Sequence, residues 1–401
     1  MTLAGKNVVL GVTGSIAAFK AVALASELVR ARTLVDVIMT ASARQFVAPL
    51  SFQAVTHRSI FGDVFAANSE LNIEHVELAE RADIVVIAPA TANTIAKLAA
   101  GMADDVLGCT VLATDAPILL APAMDAHMFD NPATQENVAR LRARGWEVVG
   151  PAAGRLASGL VGVGRLVEVE ELMGAIRALL GRSGDLAGRS VVVTAGGTQE
   201  PIDPVRYISN RSSGKMGYAV AEAARDRGAQ VTLISTPTAL PAPFGVQVVY
   251  VNTAEQMLAA VRDAVQEADA LIMAAAVADY RPARPSAEKI KKADADVWQL
   301  ELVKNPDILA QVRGDFVRVG FAAESQHLLE NALAKLHAKQ LDLIVANDIS
   351  TPGSGFAVDD NQAVLLDAQG ERLALPLMAK RELADQILNK VIKLLGQRRA
   401  K

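Results

Sequence analysis

The sequence predicts two doubly wound, Rossmann-like parallel α/β sheets in tandem, and three observations carry that expectation. Of 401 residues, 51% are hydrophobic and only 4% aromatic. Such a core has to be built from aliphatic side chains, as in strands buried on both faces beneath helices. The stretch NVVLGVTGSIAAFKAVALASELVRARTLVDVIMTASA (7–43) reads as buried strand, glycine turn, helix and second strand. The same order returns near 189, in RSVVVTAGG, GYAVAEAARDRG and AQVTLIST. Later pieces correspond too, because ADIVVIAPATAN (82–93) and ADALIMAAAVADY (268–280) are both apolar strands running into small-residue loops. Between the halves, the polar, glycine-containing GRSGDLAGRS (181–190) reads as a linker, which sets domains at 1–182 and 183–401.

Charge and cysteine usage bound the partners. A net charge of -4 without a long basic run argues against nucleic acid, whose binding needs clustered Lys and Arg. Cys109, the lone cysteine, cannot form an internal disulfide and suits a reducing compartment, so the cytoplasm is expected. The N-terminus has the wrong pattern for a signal peptide. Pro, Gly and Asp interrupt every apolar run before the roughly 18 residues a membrane span needs, so no membrane association is expected.

In open parallel sheets ligands sit beyond the carboxyl ends of the strands. The first such loop, GVTGSIAAFK, lacks the third-glycine spacing of a dinucleotide fingerprint, and MTASA carries no acidic residue for a ribose. That disfavours a pyridine-nucleotide oxidoreductase. Gly14, Ser15, Thr40, Ser42, Thr91 and Asn93 suit a mononucleotide phosphate held by hydroxyls and helix N-termini. They suit equally well the turns and caps of any α/β domain. His75, in LNIEHVELAERAD, has a side chain that can move a proton near neutral pH, or it is a surface loop histidine. The other histidines show no metal-ligand spacing.

In the second half, RYISNRSSGKMG (206–217) invites a P-loop reading and fails it. Ser209 stands where the first glycine is required, and Met216 follows Lys215 where a hydroxyl is required. Lys289, Lys291 and Lys292 make AEKIKKADAD either a cationic lid or a solvated run. Lys335 and Lys339 share one helix face, toward a ligand or toward solvent.

The motifs LGVTGSIAAFK, IAPATANTIAKLAAGMADD, APAMD, GTQEPIDPVRYISNRSSGKMG, AAAVADY, EKIKK, VKNPDI, GFAAE and LDLIVANDIS occur in this order. Together they resemble the bifunctional phosphopantothenoylcysteine decarboxylase/phosphopantothenate–cysteine ligase family of coenzyme A biosynthesis over nearly the whole chain. The resemblance implies a flavodoxin-like first domain binding FMN, with Met124 and the small-residue loops around the flavin and His75 catalytic. It also implies two departures. The family's asparagine in Pro-Ala-Met-Asn falls on Asp125, and its proton-donating cysteine falls on Ser158. An Asp125 carboxylate beside the substrate carboxylate is expected to take up a proton. For the second domain the resemblance implies ligation of cysteine to 4'-phosphopantothenate through an acyl-cytidylate. Arg206 and Asn210 would hold the acyl-phosphate region. Ala275, Asp279, Lys289, Asn305, Asp307, Ile308, Phe321, Lys335 and Lys339 would line the CTP side, with magnesium on the phosphates. A homo-oligomer is implied, with FMN between subunits and trimers joined by dimers into a dodecamer. A ligase whose flavin domain is slow in the last reduction, and a non-catalytic flavin-fold subunit, are the alternatives.

Overall fold

Val8, Val9, Leu10 and Val12 are fully buried in β1 (Asn7–Val12), as expected of a parallel strand covered on both faces. The computed structural model describes residues 3–62, 74–291, 297–324, 327–348 and 358–399. The chain divides into two compact units, Met1–Leu180 and Gly181–Lys401. In the first, β1 leads into α1 (Ala18–Arg30), β2 (Leu34–Met39), α2 (Pro49–Thr56), β3 (Ile60–Phe61), α3 (Glu74–Arg81), β4 (Ile84–Ala90) and α4 (Ala92–Ala100). Then come α5 (Val106–Ala113), β5 (Ile118–Pro122), α6 (Ala126–Asp130), α7 (Pro132–Ala143) and β6 (Glu147–Val148). The unit ends with the hairpin β7 (Ala152–Arg155) and β8 (Val161–Arg165), followed by α8 (Val169–Gly181). The sheet order is β3-β2-β1-β4-β5-β6, parallel throughout. Strand order reverses between β1 and β4, so a crevice opens beyond their carboxyl ends. Aliphatic packing of Val9, Ile87 and Leu120 against Ile95, Leu107 and Val138 fixes the helices on one face. Among the described residues of this unit one charge is buried: Asp36 on β2, 1% exposed, is paired with Arg58 at 2.7 Å and Arg81 at 2.8 Å.

The second unit contains β9 (Ser190–Ala195), β10 (Gln199–Pro201), β11 (Tyr207–Ser209), α9 (Lys215–Arg225), β12 (Gln230–Ser235), β13 (Gln247–Tyr250), α10 (Ala254–Ala264) and β14 (Ala270–Met273). It continues through β15 (Tyr280–Pro282), β16 (Leu302–Lys304), α11 (Ile308–Gln311), β17 (Val317–Glu324) and α12 (Leu328–Ala338). It closes with β18 (Leu343–Asp348), β19 (Asp360–Asp367), β20 (Arg372–Ala379) and α13 (Lys380–Arg399). Its sheet runs β13-β12-β9-β14-β17-β18-β19-β20. Six strands are parallel as expected, but β19 and β20 run antiparallel and make the sheet mixed. The β19–β20 hairpin has a local cause: Asp367 accepts backbone N–H bonds from Gln369 and Glu371, and Gly370 takes a φ of 87°, so the chain reverses tightly where a parallel crossover would need a long connection. One face of the sheet packs on α9 and α13 through Val193, Ala221, Leu383 and Ile387. The other packs on α10 to α12 through Leu271, Val261, Leu309 and Leu336.

The stretch 181–190 differs from the loose linker its composition suggests. Leu186 is fully buried, and its N–H donates to the Arg227 carbonyl. A Cβ on Gly181 would lie 1.9 Å from the Asp226 carbonyl oxygen, so small residues here allow close packing against the end of α9.

Candidate active sites

The crevice of the first unit is a cavity of about 1080 Å³. Gly14, Ser15, Thr40, Ser42, Thr91, Asn93, Met124, Asp125 and Ser158 all line it, so the structure brings together every residue expected there except His75. Buried Thr13, which the sequence did not single out, positions two of its walls. Its hydroxyl donates to the Pro89 carbonyl at 2.7 Å and accepts the Thr91 N–H at 3.1 Å, tying the end of β1 to the start of α4. Thr91 then caps α4 by accepting the Thr94 N–H. Across the cavity the Thr40 hydroxyl accepts the Ala43 N–H at 3.2 Å, and the Ser15 hydroxyl accepts the Ala17 N–H at 3.3 Å. A Cβ on Gly14 would stand 2.4 Å from the Ser42 Cβ, so the two loops touch only because residue 14 is glycine. Hydroxyls and helix starts at one end suit a phosphate, and Leu98, Met102, Leu107 and Leu156 give the cavity an apolar flank suited to a flat ring system. A flavin mononucleotide therefore fits the residues present.

Asp125 and Ser158 form a pair. The Ser158 hydroxyl donates to Asp125 Oδ2 at 2.6 Å, and Asp125 also accepts the His127 N–H at 3.1 Å as cap of α6. The Ser158 bond, with that of His127, holds the Asp125 carboxyl below the usual carboxylate range. Without ligand it is ionised, the starting state from which a substrate carboxylate is expected to make it take up a proton. His75 lies at the second residue of α3, in a helix and not in a surface loop, and does not line this cavity.

In the second unit a cavity of about 580 Å³ is lined by Asn210, Ala275, Asp279, Asn305, Asp307, Ile308, Phe321, Lys335 and Lys339. Asn210 donates through Nδ2 to the Val277 carbonyl at 3.0 Å, and Asn305 donates likewise to the Ala278 carbonyl at 2.8 Å. These bonds anchor the loop after β14 at two successive carbonyls. Lys335 donates to the Phe321 carbonyl at 2.7 Å, and Lys339 pairs with Asp307 at 2.9 Å. Burial raises the Asp307 carboxyl, but the Lys339 bond, the Ala310 N–H and both lysine charges outweigh it and leave the pKa below the usual range.

Two expected members stand elsewhere. Arg206 does not line the cavity: its guanidinium bonds Asp203 through Nε at 3.0 Å and the Ile290 carbonyl at 2.9 Å, and lies 5.0 Å from the Trp298 ring centroid. Lys289 does not line it either. Its neighbour Ile290 is fastened by Arg206 and by an N–H bond to Asp203, so the lysine loop is tethered to the β10–β11 turn. Lys291 is exposed, and Lys292 lies outside the described residues. The sequence reading passed over Lys380, Asn347 and Asn361, which line the same cavity. Each is far along the chain and is carried in by the sheet.

Among the described residues no group of three or more His, Cys, Asp or Glu is arranged to hold a metal ion, and no helix is long and apolar enough to cross a membrane.

Comparison with known proteins accounts for both units. Residues 1–181 match the Flavoprotein family, and residues 186–395 match the family described as DNA/pantothenate metabolism flavoprotein C-terminal domain. The chain is 46% identical over 400 residues to the coenzyme A biosynthesis bifunctional protein CoaBC of Vibrio vulnificus (strain CMCP6), covering 98% of this chain and 99% of that protein. It is 44% identical over 401 residues to CoaBC of Bacillus subtilis (strain 168), with 98% of each covered. Among solved structures, the C-terminal domain of a CoaBC protein is 39% identical, covers 54% of this chain and all of its own, and has a TM-score of 0.46. An FMN-dependent cysteine decarboxylase, SpaF, is 35% identical over 44% of this chain and 97% of its own, with a TM-score of 0.39. By near full-length identity and by both domain matches, the chain belongs to the CoaBC family of coenzyme A biosynthesis bifunctional enzymes, which combine decarboxylase and ligase activities.

Proposed function

We propose that the second unit joins cysteine to 4'-phosphopantothenate at the expense of CTP, and that the first, with FMN bound, decarboxylates the product to 4'-phosphopantetheine. The observation that supports this most is that the expected residues converge on two separate cavities, one per unit. In ligation the substrate carboxylate attacks the α-phosphorus of CTP, releasing pyrophosphate, and the amine of cysteine then displaces CMP. Asn210 supplies a neutral donor beside the developing negative charge, where preorganised donors count most. Lys335 and Lys339 supply positive charge on the nucleotide side, and magnesium arrives on the phosphates. Arg206 and Lys289, outside the cavity of their own chain, belong to a neighbouring subunit's site in this reading.

In the first unit FMN, when bound, supplies the two-electron acceptor and donor that turns the thiol substrate into one that loses its carboxylate readily. Gly14, Ser15, Ser42 and Thr91 hold its phosphate end. Asp125 meets the substrate carboxylate, and Ser158 holds Asp125 in place. His75 moves a proton at a site completed by a second copy, which explains its place outside the cavity. The assembly is therefore a homo-oligomer with flavin between copies, a dodecamer of trimers joined through the ligase units, in the cytoplasm.

Mass spectrometry of products from phosphopantothenate, cysteine and CTP tests the reading. 4'-Phosphopantetheine is expected with CTP, and no condensed product without it. Product formation independent of CTP would overturn the ligase assignment, and accumulation of phosphopantothenoylcysteine by yellow, flavin-loaded protein would overturn the decarboxylase assignment.

A further inference from the structure

Part of the ligase cavity is carried by two elements from different stretches of the chain. Asp307 and Ile308 stand at the start of α11, and Lys335 and Lys339 stand at the end of α12. In the cavity the two elements meet through the Lys339–Asp307 pair at 2.9 Å. A second tie lies beneath. Arg318 on β17, only 5% exposed, donates through Nη2 to the Leu309 carbonyl of α11 and through Nη1 to the Gln340 carbonyl just beyond α12, the latter at 3.2 Å. Each of these carbonyls is within two residues of one member of the Lys339–Asp307 pair.

The backbone around this tie is fixed. The Arg318 N–H donates to Asp342 Oδ2 at 2.7 Å, and the Arg318 carbonyl accepts the Asp342 N–H at 3.0 Å. Gln340 takes a φ of 51° where glycine or asparagine is usual, and the turn is closed by its N–H to the His337 carbonyl and by the Leu341 N–H to the Leu336 carbonyl. A Cβ on Gly320, two residues along the same strand from Arg318, would lie 2.6 Å from Leu341 Cδ1 and 3.4 Å from Leu309 Cδ1, so both elements rest directly on β17. For packing alone the arginine is a costly choice. Its Nε is buried with no hydrogen-bond partner among the described residues, and a buried guanidinium carries a desolvation cost that an aliphatic side chain would not. What the guanidinium adds is a planar fork that reaches two carbonyls at once.

We propose that Arg318 is a positioning residue for the nucleotide: by holding the Leu309 and Gln340 carbonyls it fixes the spacing of α11 and α12, so that Lys339 can turn from Asp307 to a phosphate without the two elements parting. This rests on the ligase reading, in which both elements face CTP. Arg318 does not line the cavity, so it acts through the residues it holds, and its contribution is preorganisation of the site.

Initial rates of CTP-dependent pyrophosphate release by the full chain test this, with CTP and phosphopantothenate varied in turn. In Arg318→Met the half-saturating CTP concentration is expected to rise about five-fold with little change in maximal rate, while that for phosphopantothenate keeps its wild-type value, the pattern of lost binding and not of lost chemistry. Arg318→Lys keeps the charge but loses the fork, so a rise of about two-fold is expected, and this variant reports even where Arg318→Met fails to fold. Combining Arg318→Met with Lys339→Met is expected to give a value close to that of Lys339→Met alone and not the product of the two effects, because an absent ammonium gains nothing from placement. Multiplicative effects overturn the proposal, as does an equal rise for both substrates. Wild-type CTP dependence in whichever Arg318 variants fold also overturns it, even where their melting temperature falls. Wild-type protein that releases no pyrophosphate from CTP overturns the ligase reading, and this role with it.

Discussion

The two cavities receive anions by different means. In the first unit the cradle at Gly14, Ser15, Thr40, Ser42 and Thr91 is neutral, built from hydroxyls that already cap neighbouring N–H groups. In the second the charges are present but engaged, Lys339 by Asp307 and Lys215 by Asp359. A neutral, preformed cradle gives up nothing when a phosphate arrives, which suits a cofactor kept through many turnovers. A cradle of paired lysines must lose one partner to gain another, which offsets part of the binding energy and suits a nucleotide that enters and leaves each cycle. The difference is breakable by mutation in either unit.

The largest effect is expected from Asn210→Asp. The Nδ2 donor to Val277 is lost, and a carboxylate is placed beside an acyl-phosphate. At about 4 Å and an effective dielectric near 20, the repulsion is about 4 kcal/mol, nearly three decades in rate. CTP-dependent pyrophosphate release should fall accordingly while flavin absorbance is unchanged. Undiminished release would remove Asn210 from the reaction.

Gly14→Val comes next and strikes the other unit. The new side chain has to pass within 2.4 Å of the Ser42 Cβ, which forces the two phosphate loops apart. Overpacking of this kind costs about 1–3 kcal/mol. Colourless protein that still releases pyrophosphate is the expected outcome; a yellow variant would mean that the contact between these loops does not shape the flavin site.

That the loops at Gly14, Thr40 and Thr91 meet at one crevice was legible in the sequence because βα-turns in a parallel sheet put their residues at one edge whatever the details of packing. Gly14, Thr40 and Thr91 follow strands whose apolar runs are plain, so register alone carries them to the crevice. The position of Arg206 and Lys289 outside the cavity was not legible, since Asp203, in the β10–β11 turn, captures both Arg206 and the Ile290 N–H. For His75 the loop alternative gave way to a helix, because a short amphipathic run beside a polar segment reads as a loop as easily as a helix. The β19–β20 hairpin depends on side-chain bonds from Asp367 that composition does not reveal. Lys380 is invisible for another reason: only the sheet brings position 380 to position 215.

A smaller effect is expected from Lys339→Met. The Lys339–Asp307 pair is partly exposed, at 27% and 45%, so its direct worth is at most about 1 kcal/mol. The half-saturating CTP concentration should rise several-fold with little change in maximal rate, and an unchanged value would show that Lys339 serves Asp307 alone. The pH dependence carries a sign. Because the folded-state pKa of Asp307 is depressed, its contribution is present above the unfolded value and is lost as pH falls through the folded one. Removing Lys339 raises that folded pKa, so acid unfolding followed by circular dichroism should begin at slightly higher pH in the variant.

The smallest and most specific effects concern the Asp125–Ser158 pair. Ser158 donates its hydroxyl proton to Asp125, so the hydroxyl is not free to act as an acid while that bond stands. The same bond, with that of His127, keeps Asp125 ionised across the neutral range. A substrate carboxylate approaching it meets like charge until one proton is taken up, after which the neutral acid donates a single hydrogen bond much as an asparagine amide would. Two substitutions then act in the same direction on the profile, by steps of different size. Asp125→Asn removes the need for that proton, so carbon dioxide release should persist to higher pH with a flatter dependence. Ser158→Ala removes the principal cause of the depressed pKa, so Asp125 should titrate closer to the ordinary carboxylate value and the acid requirement should ease by a smaller step. Ser158→Cys restores a thiol with a reference pKa near 8.5, a better proton donor than a hydroxyl, and should speed product formation without moving the Asp125 titration as far as alanine does. Carbon-13 titration of Asp125 alongside the rate profile separates the two roles, and superimposable profiles for all three variants would make the pair a structural clasp of the β7–β8 hairpin alone.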